Sequence, residues 1–117
     1  MKKTVTIKSN RDFQRLYRRG KSAASGTLVM YCQRNRNGES RLGITTGTKL
    51  GHAVVRNKAR RRIREMYRLN KEHITPGYDI IVVARVRAAH SDYRHMEKDF
   101  LYLVKKLGLR QKQEAGV

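Results

Sequence analysis

The sequence has few cysteine, proline and acidic residues, and it has no tryptophan. Its 117 residues include one cysteine, one proline and only 9 Asp and Glu. A single cysteine excludes an internal disulfide and is typical of a reducing compartment, so we expect a cytoplasmic protein. The few carboxylates, the four scattered histidines and the lone thiol show no zinc-ligand spacing. They also argue against a large enzyme with its own catalytic carboxylate pair, and we assign neither a catalytic residue nor a metal site to the chain.

Long hydrophobic runs are also absent. No apolar segment approaches the roughly 18 residues that a membrane helix needs, so we expect no membrane partner. Met1-Lys2-Lys3 is not followed by the apolar region of a signal peptide. The length predicts a single domain over residues 1–117, with a core at about 5–109 and a polar tail at 110–117 that frays.

Positive charge is what the chain has in excess. It carries 28 Lys and Arg against 9 Asp and Glu, which gives a formal net charge of +19 and a pI near 11.0. Self-repulsion of this size destabilises a small compact chain unless a counter-charge is present. The composition therefore indicates a polyanion, such as nucleic acid, as the normal partner.

The first predicted helix runs from Ser9 to Arg19. Ser9 is a good N-cap, and Asp12 three residues later is typical of a capping box. Gly20 stands where a C′ glycine would end the helix. One face of this helix is apolar at helical spacing and carries Phe13, Leu16 and Tyr17.

Alternating and continuous apolar segments predict four strands. The turn signal Asn37-Gly38 predicts that the third strand pairs with the second as a hairpin. A long helix follows from near Ala53 to before Pro76, and a last helix begins near Ser91 as its N-cap. The predicted class is α+β, a two-layer sandwich of a small mixed four-stranded sheet and about three helices in α-β-β-β-α-β-α order. The predicted strands are Lys21–Ala24, Leu28–Gln33, Arg41–Thr46 and Tyr78–Val86.

The long helix is the most informative segment. Over residues 55–68 it holds seven cations and the single carboxylate Glu65. A solvated helix face ordinarily mixes both signs, and like charges at i and i+4 destabilise a helix, so an anionic partner is the better explanation. One stripe is apolar and should be buried, with Val55, Ala59, Ile63 and Met66, and with Tyr67 at its margin. The helix residues predicted to contact a nucleic-acid partner are Arg56, Asn57, Lys58, Arg60, Arg61, Arg64 and Arg68.

Four ordered blocks resemble the protein subunit of bacterial ribonuclease P. The match covers roughly residues 5–107, and the blocks stand in the order that this family has. The most specific is the Arg- and Asn-rich helix signature Arg56-Asn57-x-x-Arg60-Arg61-x-x-Arg64. The other blocks are Asn10-x-Asp12-Phe13-x-x-Leu16-Tyr17-x-x-Gly20, Arg41-Leu42-Gly43-Ile44 with Lys49-Leu50-Gly51-His52-Ala53-Val54-Val55, and Tyr78-Asp79-Ile80-Ile81-Val82-Val83-Ala84-Arg85.

The resemblance implies the fold of the second domain of ribosomal protein S5, with a left-handed β-α-β crossover that departs from the usual right-handed rule. It implies a large catalytic RNA as partner and precursor tRNA as substrate. By position in the helix signature, the residues that would bind the catalytic RNA are Arg56, Asn57, Arg60, Arg61 and Arg64. The ribonucleoprotein is an endoribonuclease that hydrolyses one phosphodiester bond to remove the 5′ leader. In this family the RNA and its Mg²⁺ ions perform the chemistry, and the protein alone is not catalytic.

Carried over by position, Phe13, Tyr17 and Tyr31 match the aromatic residues of the cleft that holds the single-stranded leader. Aromatic faces stack any base without demanding a sequence. From spacing alone, Phe13 and Tyr17 fit a core role better than a binding role. The loop before the basic helix keeps Lys49 as an RNA contact, but Gly47-Thr48 and His52 depart from the family pattern.

Two other functions fit the composition. A ribosomal or ribosome-assembly protein that binds rRNA would have the same charge, and the ordered motif blocks are what favour ribonuclease P. A basic architectural DNA-binding protein fits less well, because the sequence shows neither paired recognition arms nor helix-turn-helix spacing.

Overall fold

The computed structural model describes residues 4–111, which form a four-stranded sheet with three α-helices. This confirms the α+β class, the mixed sheet and the predicted order of elements. Short 3₁₀ turns lie at Thr48–Leu50, Lys71–His73 and Val86–His90. In chain order the main elements are α1 (Asn10–Arg19), β1 (Lys21–Ala24), β2 (Leu28–Arg34), β3 (Arg41–Thr46), α2 (Ala53–Asn70), β4 (Tyr78–Ala84) and α3 (Tyr93–Lys106).

The strand order is β1-β2-β4-β3, so the predicted β2–β3 hairpin is wrong. β4 lies between the two strands, antiparallel to β2 and parallel to β3. Its unbroken apolar run suits the central position, where most of its side chains are buried on one face or the other. The β2–β3 connection spans the end of β4, where the Asn35 N–H donates to the Gly77 carbonyl at 2.8 Å. The parallel pair joined through α2 is as predicted.

Successive residues of β4 point to opposite faces of the sheet, and both faces carry helices. Ile80 and Val82 belong to the main core with α2 and α3. Ile81 faces the other way and packs with Leu16 of α1 and with Ile7. The short α1 therefore adds a partial layer on the face opposite the two longer helices, beyond the two predicted layers.

The start of α1 confirms the predicted N-cap but not the capping box. The Ser9 hydroxyl accepts the Arg11 N–H at 3.2 Å. The Asp12 carboxylate does not return to Ser9, because it binds Arg15 at 2.7 Å and Arg41 at 3.2 Å. Gly20 follows the helix with φ −74°, outside the left-handed region. A glycine is needed there for space, since a Cβ would lie 2.6 Å from the Leu16 carbonyl oxygen.

The last helix is capped one residue later than predicted. Asp92, rather than Ser91, is the N-cap of α3, and its carboxylate accepts the His95 N–H at 2.8 Å. Beyond α3, Arg110 bridges to Ile74, and the Gln111 N–H donates to the His73 carbonyl at 2.8 Å. Backbone pairing thus continues two residues past the predicted core, while the rest of the predicted tail, 112–117, lies outside the described residues.

Candidate nucleic-acid interface

The apolar stripe of α2 is buried as predicted, which orients its basic face outward. Ile63 and Met66 are fully enclosed, Ala59 and Tyr67 are nearly so, and Val55 is half-buried. Because α2 is anchored along this stripe, the residues on the opposite side face solvent over its whole length. The exposed members of the predicted set are Asn57, Lys58, Arg61, Arg64 and Arg68.

Two of the predicted RNA-binding arginines are only half-exposed. Arg60 is half-buried, and its guanidinium donates to the Ile44 carbonyl at 3.2 Å and to the Thr46 hydroxyl at 2.8 Å. Arg56 is also half-buried, and its Nε atom is enclosed with no hydrogen-bond partner. Arg60 therefore fastens α2 to β3, a role that a helical wheel does not show. Arg68 is exposed but shares its charge with Glu65 at 2.7 Å.

The N-terminus of α2 lies open beside Lys49. His52 is the N-cap residue but makes no side-chain capping bond. The neighbouring Val54 is 79% exposed, and Lys49 is exposed in the preceding turn. Free N–H groups and the positive end of the helix dipole make such a terminus favourable for phosphate. The RNA contact of Lys49 stays a prediction.

The aromatic residues meet on the sheet face that carries α1. Gly43, Ile81 and Tyr31 lie side by side across β3, β4 and β2. The Phe13 ring sits directly over Gly43, where an added Cβ would approach its Cζ to 2.8 Å. Tyr17 packs edge-on to Tyr31, with ring centroids 4.9 Å apart and planes at 77°. Phe13, Tyr17 and Tyr31 are all half-buried in one cluster. Phe13 is packed against β3, and Tyr17 and Tyr31 form a half-exposed aromatic wall.

The next row of the same sheet face forms an open floor. Val29, Val83 and Thr45 lie side by side in register and are only half-buried. The Tyr17 hydroxyl is bonded to the Thr45 hydroxyl at 2.8 Å, which fixes the ring at the edge of this floor. We call the floor and its aromatic wall the aromatic cleft. Sequence reasoning missed the floor, because β4 reads as one apolar run and gives no sign of which face stays uncovered.

Arg85 lies at the far end of the aromatic cleft. It follows β4 in the alternation that places Ile81 and Val83 on the cleft face. It is exposed, and its guanidinium donates to the Ser25 carbonyl at 2.8 Å. A cation beside an apolar and aromatic floor is the arrangement that suits a single nucleic-acid strand, with bases on the floor and phosphates at its edge.

The opposite, closed end of the cleft holds a buried carboxylate. Asp79 is 1% exposed, and Arg41 binds both of its oxygens, at 2.9 and 2.7 Å. Burial opposes ionisation of Asp79, but hydrogen bonds from Arg41 and Asn35 outweigh it and hold its pKa below the usual range. The same pairing raises the pKa of Arg41. No single-sequence signal connects these residues, which lie 38 positions apart.

The remaining chemistry-bearing residues of residues 4–111 are scattered. Within that range no group of three His, Cys, Asp or Glu side chains is placed to hold a metal ion. Cys32 is buried as a small apolar residue, and burial raises the pKa of its thiol. None of the helices in this part of the chain is both long and apolar enough to cross a membrane.

Comparisons with known proteins agree with one another. A family model described as Ribonuclease P matches residues 1–108. A ribonuclease P protein component of Natranaerobius thermophilus is 40% identical over 112 residues, covering 96% of this chain and 97% of that protein. The solved Staphylococcus aureus RNase P protein has a TM-score of 0.85 at 38% identity, over 93% of this chain and 100% of the other. The Thermotoga maritima protein has a TM-score of 0.79 at 33% identity, over 86% and 96%.

Proposed function

This chain belongs to the ribonuclease P protein family, and we propose that it holds the 5′ leader of precursor tRNA in the aromatic cleft while α2 binds the catalytic RNA. It is the protein subunit of a ribonucleoprotein endoribonuclease, with the ribonuclease P RNA as its partner. Beyond family membership, we propose that the protein binds the leader, that the residues named below are responsible, and that it is located in the cytoplasm.

The observation that carries leader binding is the uncovered floor beside Tyr17 and Tyr31. A duplex presents its bases edge-on, whereas a single strand can lay unstacked bases on aromatic and aliphatic surfaces. Val29 and Val83 supply such a surface, and both tyrosine rings are half-exposed at its margin. Stacking is sequence-tolerant, which suits leaders that differ from one tRNA to the next.

The surface that we propose for the catalytic RNA comprises Lys49, Lys58, Arg61 and Arg64, together with the open N-terminus of α2. All four side chains are exposed, and none is used in an ion pair among residues 4–111. Arg60 joins this helix to β3, the strand that also carries Thr45 of the cleft. The two surfaces are therefore held in a fixed relation, which would align leader and catalytic RNA.

We propose that the chemistry takes place on the RNA. The Mg²⁺ implied by the resemblance would be held by RNA phosphates, whose hard oxygen atoms are the ligands that this ion prefers. The contribution of the protein is to orient the leader and to neutralise phosphates near the cleavage site. No step of the hydrolysis is assigned to a side chain of this protein.

Binding of precursor and mature tRNA to the reconstituted holoenzyme tests the cleft assignment. Tyr31→Leu keeps an apolar side chain but removes the ring. A lost stacking contact costs about 1–3 kcal/mol, so we expect precursor affinity to fall roughly fivefold to a hundredfold. Affinity for mature tRNA should not change. The matched control is Tyr102→Leu on the exposed side of α3, which should alter neither. Equal weakening of both ligands by Tyr31→Leu would contradict leader binding.

A further inference from the structure

Four charged side chains form a closed ring at the inner end of the aromatic cleft. Arg15 binds Asp12 at 2.7 Å and Asp79 at 3.1 Å. Arg41 binds the same two carboxylates at 3.2 and 2.7 Å. Asp12 and Arg15 belong to α1, Arg41 to β3 and Asp79 to β4, so the ring joins one helix to two strands.

Helix α1 has few other attachments. Leu16 is its only fully buried residue, and the apolar cluster beneath it is small. At the cleft end, the hydroxyl of Tyr17 is tied to Thr45 at 2.8 Å. At the inner end, the ring is extended by Arg15, which donates to Gln33 at 3.1 Å. Phe13 and Tyr17 add half-buried apolar contacts along the same face. Because this contact is small, the polar bonds at the two ends of α1 add the constraints that set its direction.

We propose that the ring is a positioning device, with Asp12 and Arg15 setting the angle of α1 and thereby the place of Tyr17 over the cleft floor. The inference rests on the proposed leader binding. In this role the two residues act through Tyr17 and do not touch the leader themselves.

The energetics of the ring favour position over stability. Burial of Asp79 makes its desolvation offset part of the Coulomb attraction, and the exposure of Arg15 and Arg41 screens it, so the ring contributes less to folding than four ion pairs suggest. Their hydrogen bonds, however, form only at one relative placement of the three elements. The protein has only 9 Asp and Glu residues, and two of them lie in this ring, at the end of a cleft proposed to bind an anionic RNA strand. Electrostatic attraction of the RNA alone would favour cations without carboxylates at this position.

The two explanations, charge and positioning, predict opposite effects of one substitution on precursor binding. Asp12→Asn keeps the shape of the side chain and adds one positive charge to the protein. If only charge matters, it should tighten all RNA binding. If the ring positions α1, the ratio of precursor to mature tRNA affinity should fall roughly three- to tenfold, as expected when one or two charge-assisted bonds are weakened. Affinity for the catalytic RNA and the cleavage rate at saturating precursor should change less than about twofold.

Glu72→Gln is the matched control, because it makes the same charge change at an exposed site outside the ring. It should leave the affinity ratio unchanged. Arg15→Gln should lower the ratio as Asp12→Asn does, although it changes the charge in the other direction. The double variant should lose no more than the larger single loss, since both residues act through one ring. A circular dichroism melt of each variant establishes that it is folded before it is assayed.

The outcomes separate this inference from the proposed function. If Tyr17→Ala abolishes the preference for precursor but Asp12→Asn and Arg15→Gln do not lower it, the positioning role is refuted and leader binding stands. If Tyr17→Ala leaves the preference intact, both are overturned. If Asp12→Asn and Glu72→Gln tighten precursor and mature tRNA alike, charge alone explains the ring variants and the positioning role is refuted.

Discussion

The arginines of α2 should divide into two kinds when binding to the catalytic RNA is measured against salt. Arg61 and Arg64 are exposed on the basic face, whereas Arg60 is bonded to Ile44 and Thr46 of β3. Each phosphate contact contributes about −0.9 to the slope of log K against log salt. The double variant Arg61→Ala/Arg64→Ala should therefore make the slope shallower by about 1.8.

Arg60→Ala should act on the fold instead. It removes two charge-assisted hydrogen bonds, 3.2 and 2.8 Å long, between α2 and β3. Bonds of this kind contribute about 1.5–3 kcal/mol each at most, and partial exposure of Arg60 lowers that, so we expect a loss of about 1–3 kcal/mol of unfolding free energy. The salt slope should change by less than about 0.5, roughly half a phosphate contact.

Fluorescence anisotropy of the labelled catalytic RNA over a salt series, with urea unfolding of each variant, measures both quantities. Lys98→Ala provides the control, because Lys98 is an exposed cation on α3, away from the basic face. It should alter neither the slope nor the stability. If Arg60→Ala reduces the slope as much as Arg61→Ala, or if the double variant leaves it unchanged, the division of the arginines is wrong.

Three further outcomes concern the charges of the protein and the location of the catalytic groups. The pKa of Asp79 is lowered in the folded state, so its stabilising contribution is present above its unfolded pKa of about 3.9 and is lost as the pH falls through its folded pKa. Urea unfolding from pH 7 downward should show that loss below about pH 4, and a flat profile there would contradict it. With a net charge of +19, sulfate and phosphate should raise the melting temperature at low ionic strength, and an unchanged temperature would count against anion binding by the folded state. The purified protein should cleave no precursor tRNA without RNA, so reproducible RNA-free cleavage would place catalytic groups on the protein.

Local patterns predicted most elements, because each is dictated by neighbours in the chain. The buried stripe of α2 follows from helical spacing, and β4 follows from its continuous apolar run. The insertion of β4 between β2 and β3 was missed, since strand pairing depends on distant partners and the turn signal favoured a hairpin. The resemblance supplied what patterns cannot, and the left-handed sense of the crossover stays a prediction.

The candidate site was predicted unevenly for the same reason. The exposure of Arg61 and Arg64 could be predicted from helical periodicity. The hydrogen bond from Arg60 to Thr46 of β3 could not, because it is a tertiary contact. The cleft floor and the ion ring each join residues far apart in the chain, such as Arg15 and Asp79. Because periodicity relates residues within one helix or strand only, it does not predict contacts between residues of different elements.

The most direct test of the central claim is to purify the tagged protein from its own cells at moderate salt and to sequence the RNA that it retains. We predict strong enrichment of one structured non-ribosomal RNA together with 5′-extended tRNAs, and we predict that Tyr31→Leu retains the first but loses the second. Enrichment of ribosomal RNA alone would contradict a ribonuclease P role for this chain and would assign its basic helix to ribosome assembly.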